Sequence, residues 1–328
     1  MNPERRPFPL PLALGIVLAG LLPVLLYELF FAPSVILTAP EALPVCPLSL
    51  FEQWLAVLTA FVIKPTYMVL SLALIVWLWR SPATDLTALR RGLVGFMAGE
   101  SACAINYLFL GGQSDLWEFL HSYGMVVAFS FVSYALLEGM DRRLIKYSAP
   151  KDRCAALNLC RACIKHADVA CGLRRLFAVG IPGMIIVAFI PLSASLRSLG
   201  QVSPILGSIQ NYTPSVASQL FEFRYCGWLA VVLLTASWLV LLFKRDDPVG
   251  TSKSLLAAGL GPLGFGTTRL FLVSAYADQL MWSAAWEEIT ELLFVAFVAI
   301  ALWLFRHALF REKPAEAAAS SQPGPCQV

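Results

Sequence analysis

Long apolar stretches, broken by short segments rich in charge, glycine or proline, recur along the whole chain. A helix needs about 20 mostly apolar residues to cross roughly 30 Å of hydrocarbon. Eight stretches reach or approach that length, at about residues 10–31, 54–79, 92–112, 117–138, 176–195, 226–243, 255–277 and 284–305. They predict an all-α polytopic membrane protein with eight transmembrane helices. The first stretch is too long for the apolar part of a cleaved signal peptide and shows no small-residue cleavage pattern. It is therefore read as a helix that stays in the membrane.

Charge placement orients these spans. The even-numbered connections are basic: Arg80, Arg90 and Arg91 in the second, nine Lys or Arg residues from Arg142 to Arg175 in the fourth, and Lys244, Arg245 and Lys253 in the sixth. Arg5, Arg6, Arg306, Arg311 and Lys313 flank the first and last spans, whereas the odd connections hold only Arg197 and Arg224. Basic loops stay on the cytoplasmic side, so both termini are expected there. Composition agrees, because 58% of the 328 residues are hydrophobic and 14% are charged, against about 25% charged in ordinary soluble domains. A soluble enzyme, a disordered chain and a nucleic-acid binder are thereby excluded. The expected surroundings are a lipid bilayer, in the inner (plasma) membrane.

The chain also shows self-similarity. Gly95-Phe96 matches Gly264-Phe265, and Trp117-Glu118 matches Trp286-Glu287, both at an offset of about 169. Leu50-Phe51-Glu52 matches Leu220-Phe221-Glu222 at about 170. The implied organisation is a cytoplasmic N-terminus (1–9), a first four-helix repeat (10–138), a cytoplasmic Cys-rich loop (139–175), a second four-helix repeat (176–305) and a disordered cytoplasmic tail (306–328). Four spans per half make the repeats parallel, related by an axis along the membrane normal.

Three groups of residues could carry chemistry. Cys154, Cys160, Cys163 and Cys171, with His166 among them, cluster in the fourth connection. In a reducing cytoplasm such thiols favour Zn²⁺ or an iron–sulfur cluster over disulfides. Glu100 and Arg269 form the second group. They stand at near-equivalent places in spans 3 and 7, where a lone charge is costly, so they are expected to pair near the midplane. Lys64, just before Pro65, is a further intramembrane base. At the outer ends of spans 4 and 8, Glu118 with His121 and Glu287 with Glu291 lie about one helical turn apart. That spacing suits a proton-handling cluster or a divalent ion. Outside the membrane, Cys46 and Cys226 are candidates for a disulfide on the oxidising side.

With His166 and His307 cytoplasmic, His121 is alone in the membrane, and a bis-histidine haem within the bundle is excluded. The reading that joins these features is a membrane redox component. It would carry a cytoplasmic metal or iron–sulfur centre, a soluble redox partner on that side, and a two-bundle core that handles protons or a quinone-like lipid. The alternative is a transporter with its substrate between the repeats and a structural zinc. A metal-dependent intramembrane hydrolase using Glu118, His121 and Glu287 stands third.

Overall fold

The computed structural model describes residues 43–112, 114–145, 172–193, 200–244 and 248–310. The expected first span, most of the Cys-rich loop (with Cys154, Cys160, Cys163, Cys171 and His166) and the tail from Arg311 lie outside these residues. Among the described residues, six helical segments are long and apolar enough to cross a membrane. The chain is a multi-pass helical membrane protein.

Helix α1 (Leu50–Leu58) opens on a capping box. Ser49 Oγ accepts from the Glu52 amide at 3.3 Å, and Glu52 Oε2 accepts from the Ser49 amide at 2.8 Å, so the Glu of the first LFE motif satisfies a helix start. The helix continues through a π-helical turn, Thr59–Ile63, into α2 (Lys64–Leu78). Pro65 cannot donate a backbone hydrogen bond, and the wide turn before it absorbs that break and sets the direction of Lys64.

Helices α3 (Thr84–Leu110) and α4 (Asp115–Gly139) form an antiparallel hairpin. Gly111 and Gly112 turn the chain with φ of 64° and 72°, conformations that cost glycine little. Gly92, Gly95 and Gly99 line the contact. A Cβ on Gly124 would stand 2.6 Å from Gly99 Cα, and one on Gly99 would stand 2.9 Å from His121 O. Only bare backbone allows this approach, as at small-residue crossings in membranes.

Helix α5 (Gly172–Ser193) packs on α6 (Thr213–Phe243), and α6 packs in turn on α7 (Pro248–Ala275). Trp238 Nε1 donates to Ala178 O across the first contact. Helices α4 and α7 join the two hairpins: Ser130 Oγ donates to Ala258 O, and Phe129 stacks on Phe265. Helix α8 (Leu280–Leu304) is 25 residues long, enough for roughly 30 Å of hydrocarbon. Its three carboxylates, Glu287, Glu288 and Glu291, set it apart from those six segments. It lies chiefly against α2 and the π-helical turn, so the close hairpins are α3–α4 and α6–α7. Helix packing therefore does not recur at the sequence offset. A short helix, α9 (Arg306–Leu309), follows α8.

A two-stranded hairpin, β1 (Val202–Ile205) with β2 (Ser208–Asn211), covers the end of the bundle near the α7–α8 turn. Leu206 and Gly207 both take positive φ, at 45° and 87°, as tight two-residue hairpin turns require. Gln201 fastens this hairpin, its Nε2 donating to Asp278 O and its Oε1 accepting from Leu280 N. At the opposite end, Lys253 bonds Glu138 and Asp141 at 2.6 Å each, and Arg143 bonds Asp85 at 2.7 Å.

Candidate functional site

A continuous network of buried charge runs through the bundle from α2 to α6. Lys64 Nζ stands 2.6 Å from Glu100 Oε2 on α3 and 3.0 Å from Glu288 Oε1 on α8. The Tyr67 hydroxyl, one turn along α2 and fully buried, lies 2.6 Å from Glu100 Oε2 and 2.7 Å from Glu288 Oε2. A phenol has one proton, so it donates across only one of these contacts at a time. The other contact calls for a proton on the carboxyl side.

From Glu100 the network passes to α4. Glu100 Oε1 is 3.4 Å from His121 Nδ1, which also faces Gly99 O at 3.2 Å. His121 Nε2 meets Arg269 of α7 at 3.3 Å. A guanidinium only donates, so Nε2 is the acceptor and Nδ1 carries the hydrogen given to Gly99 O. Arg269 in turn lies 3.1 Å from Glu222 on α6, in an ion pair not aligned for a hydrogen bond. It also pairs with Glu287 on α8, and its guanidinium covers the Phe265 ring. Ser122 donates to Glu222, and Gln219 donates to Glu287 at 2.7 Å.

Glu100 and Arg269 are thus not bonded to each other, as the sequence had suggested. His121 stands between them, and each has its own counterions. Along the helices the network lies about 9–21 Å from the ends at the covering hairpin, reaching from the near side to the middle of these long segments. The two polar groups that the sequence keeps apart, the Glu100–Arg269 pair and the outer cluster, are largely one assembly. His121, Glu287 and Glu291 belong to it. Glu118 does not: it accepts from Asn106 at 3.0 Å, and Asn106 Oδ1 in turn accepts from the Ser114 amide, holding the α3–α4 turn. Cys46 and Cys226 are both free thiols, which corrects the expected disulfide. Cys226 is fully buried against Gly266 inside the α6–α7 contact, while Cys46 sits beside Asp278 O near the covering hairpin.

Sequence reasoning did not assign Tyr67, Glu222 or Glu288 to the site. Glu222 was visible as the end of the second LFE motif. Its counterpart Glu52 caps a helix, whereas Glu222 is buried deeper along α6 and meets Arg269. Five carboxylates, Glu100, Glu222, Glu287, Glu288 and Glu291, face two permanent cations, Lys64 and Arg269. Glu291 Oε2 and Glu100 Oε1 are buried with no hydrogen-bond donor among the described residues. Ligand atoms of Glu100, Glu288 and Glu291 lie within 4.8 Å of one another, and so do those of Glu100, Cys103 and His121. Neither a family model, nor a curated protein, nor a solved structure matches this chain.

Proposed function

We propose that the protein is an ion-coupled membrane transporter in which this network takes up a proton or a cation. The observation that carries the reading is the surplus of carboxylates over cations in the network among the described residues: Glu100, Glu222 and Glu291 are buried and Glu287 and Glu288 partly so, against buried Arg269 and partly buried Lys64. Unbalanced charge in a low-dielectric interior costs several kcal/mol per ion, so mobile positive charge from solution has to balance it. The single proton of Tyr67 between two carboxylates points the same way, toward a group that exchanges protons. The network also joins helices of both halves of the chain, where a transporter would couple ion uptake to movement of one half against the other. In this reading eight spans, similar in sequence between the halves but packed differently in each, lie in the plasma membrane, with both termini cytoplasmic and the network on the outer side. The Lys253–Glu138–Asp141 and Arg143–Asp85 clusters then tie the cytoplasmic ends of α3, α4 and α7.

The redox reading rests on the cysteines of the fourth connection, and nothing in the network adds to it. The hydrolase reading needs Glu118, His121 and Glu287 around one ion. Glu118 is engaged by Asn106, and Glu287 by Arg269 and Gln219. Proteoliposomes carrying an imposed pH gradient and an internal pH dye test the proposal. Addition of external Na⁺, Mg²⁺ or Mn²⁺ should collapse the gradient in the wild type, and Glu288→Gln should lose that response. A gradient that no cation disturbs in folded, reconstituted wild type would overturn it.

A further inference from the structure

We infer that Glu100, Glu288 and Glu291 form a binding site for a hard divalent cation, an inference that rests on the transport reading and names its ion. Glu288 and Glu291 stand one turn apart on α8 and face Glu100 on α3. One carboxylate oxygen from each lies within 4.8 Å of the others. Oxygens bound to one Ca²⁺ at about 2.3–2.6 Å can be no farther apart than roughly 4.6–5.2 Å, and a smaller Mg²⁺ draws them closer at about 2.0–2.1 Å each. The carboxylates therefore need little or no movement to share an ion.

A second observation points to a ligand. Glu291 is 6% exposed, and its Oε2 has no hydrogen-bond partner among the described residues. Buried carboxylate oxygens are ordinarily satisfied by a donor or a metal. Glu100 Oε1, on a fully buried residue, likewise lacks a donor. Charge points to the valence. With all three carboxylates ionised, the one ammonium beside them among the described residues, that of Lys64, leaves two negative charges, which a divalent ion neutralises as it displaces the proton held between Tyr67 and the carboxylates.

Donor chemistry fixes the class. Carboxylates with a phenol hydroxyl at the rim are all oxygen, the preference of Mg²⁺, Mn²⁺ and Ca²⁺. The softer grouping of Glu100, Cys103 and His121 is already engaged. His121 gives its Nδ1 hydrogen to Gly99 O and its Nε2 lone pair to Arg269, so it has no lone pair left for a metal. Lys64 sits against the same oxygens as a built-in competitor for the cation.

Titration of Mn²⁺ into the full-length, chelator-stripped protein in detergent, read by loss of the free-ion paramagnetic signal, tests this directly. Wild type should bind one Mn²⁺ per chain at this site and gain thermal stability from it. Glu291→Gln should weaken binding at least about 10–100-fold, the loss usual for even an outer partner of a metal site. Its melting temperature should no longer respond to Mn²⁺. Removal of an unpaired buried carboxylate leaves the metal-free protein folded, which the same melting curve verifies. Glu118→Gln, outside the network, should bind as wild type does. Lys64→Gln removes the competitor and should tighten binding, an effect that a purely structural lysine would not produce. Unchanged Mn²⁺ affinity in Glu291→Gln, or weaker binding in a folded Lys64→Gln protein, would overturn the site. Absence of Mn²⁺ binding with retained proton flux would overturn this inference and leave the transport reading standing. Mn²⁺ binding without any flux would do the reverse.

Discussion

Charge removal at Arg269 separates the network observed here from the simpler pair expected from the repeat. Arg269 is almost fully buried and lies 3.1 Å from Glu222. At an effective dielectric constant of about 20, two unit charges at that distance attract by about 5 kcal/mol before desolvation is counted. Arg269→Gln strands Glu222 and Glu287 together, and breaking a buried pair from one side costs about 3–5 kcal/mol. Glu222→Gln should cost less, because Arg269 keeps Glu287 and glutamine can still accept from Ser122. Once Arg269 is gone, loss of Glu222 removes a stranded charge, so the double variant should lose much less stability than the sum of the two single losses. Glu100 reaches Arg269 only across the His121 ring, through contacts of 3.4 and 3.3 Å. At roughly 8 Å the same arithmetic gives about 2 kcal/mol. Equilibrium unfolding of the detergent-solubilised protein, run as two double-mutant cycles, reads both couplings. The Glu222–Arg269 coupling should be at least about twice that of Glu100–Arg269. A larger Glu100–Arg269 coupling would mean that these residues meet directly and would refute the arrangement described.

Other perturbations have clear expected outcomes. Gly124→Ala places a Cβ 2.6 Å from Gly99 Cα, so it should lower stability by about 1–3 kcal/mol or more, read by thermal melting, and displace His121 with its helix. Lys253→Gln takes the shared ammonium from Glu138 and Asp141 and should cost less than the about 3–5 kcal/mol of a fully stranded buried charge in the same assay, because Glu138 keeps Arg142, and Asp141→Asn should cost less still because Glu138 keeps the lysine as well. Reporter fusions after Lys146 and after Arg311 should both read cytoplasmic, and one near Gly200 should read external. Serine in place of any one of Cys154, Cys160, Cys163 or Cys171 should lower tightly bound zinc or iron, by elemental analysis, as much as replacing two of them.

The site was legible where a charge contradicted its apolar surroundings. Glu100, Arg269, His121, Glu287 and Glu291 each stand out because a lone intramembrane charge is expensive. Their partners were not legible, since spacing along a helix gives depth and leaves open which neighbouring helix it faces. Lys64 was visible as a base, but its direction depends on the π-helical turn at Thr59–Ile63, which no periodicity reveals. Tyr67 passes in the sequence for one more aromatic of a membrane helix, and only packing shows its hydroxyl between two carboxylates. The offset of about 169 placed Glu100 and Arg269 at matching positions, yet His121 stands between them, and α8, packed on α2, brings Glu287 to Arg269 and Glu288 to Lys64. The covering hairpin carried only a weak signal, Gly207 between two short mixed stretches, which the long apolar spans on either side overshadow. Cys226 misled because burial at a helix crossing cannot be told from its position near a span end.

If the network takes up mobile positive charge, a charge-displacement measurement on a solid-supported membrane reads that uptake as a current. A rapid rise in proton or divalent-cation concentration should draw a transient inward current from proteoliposomes holding the wild type. The doubly substituted Glu288→Gln, Glu291→Gln protein, confirmed as folded by its melting curve, should give none. An identical current from that variant, or silence from wild type under every jump, would contradict the account.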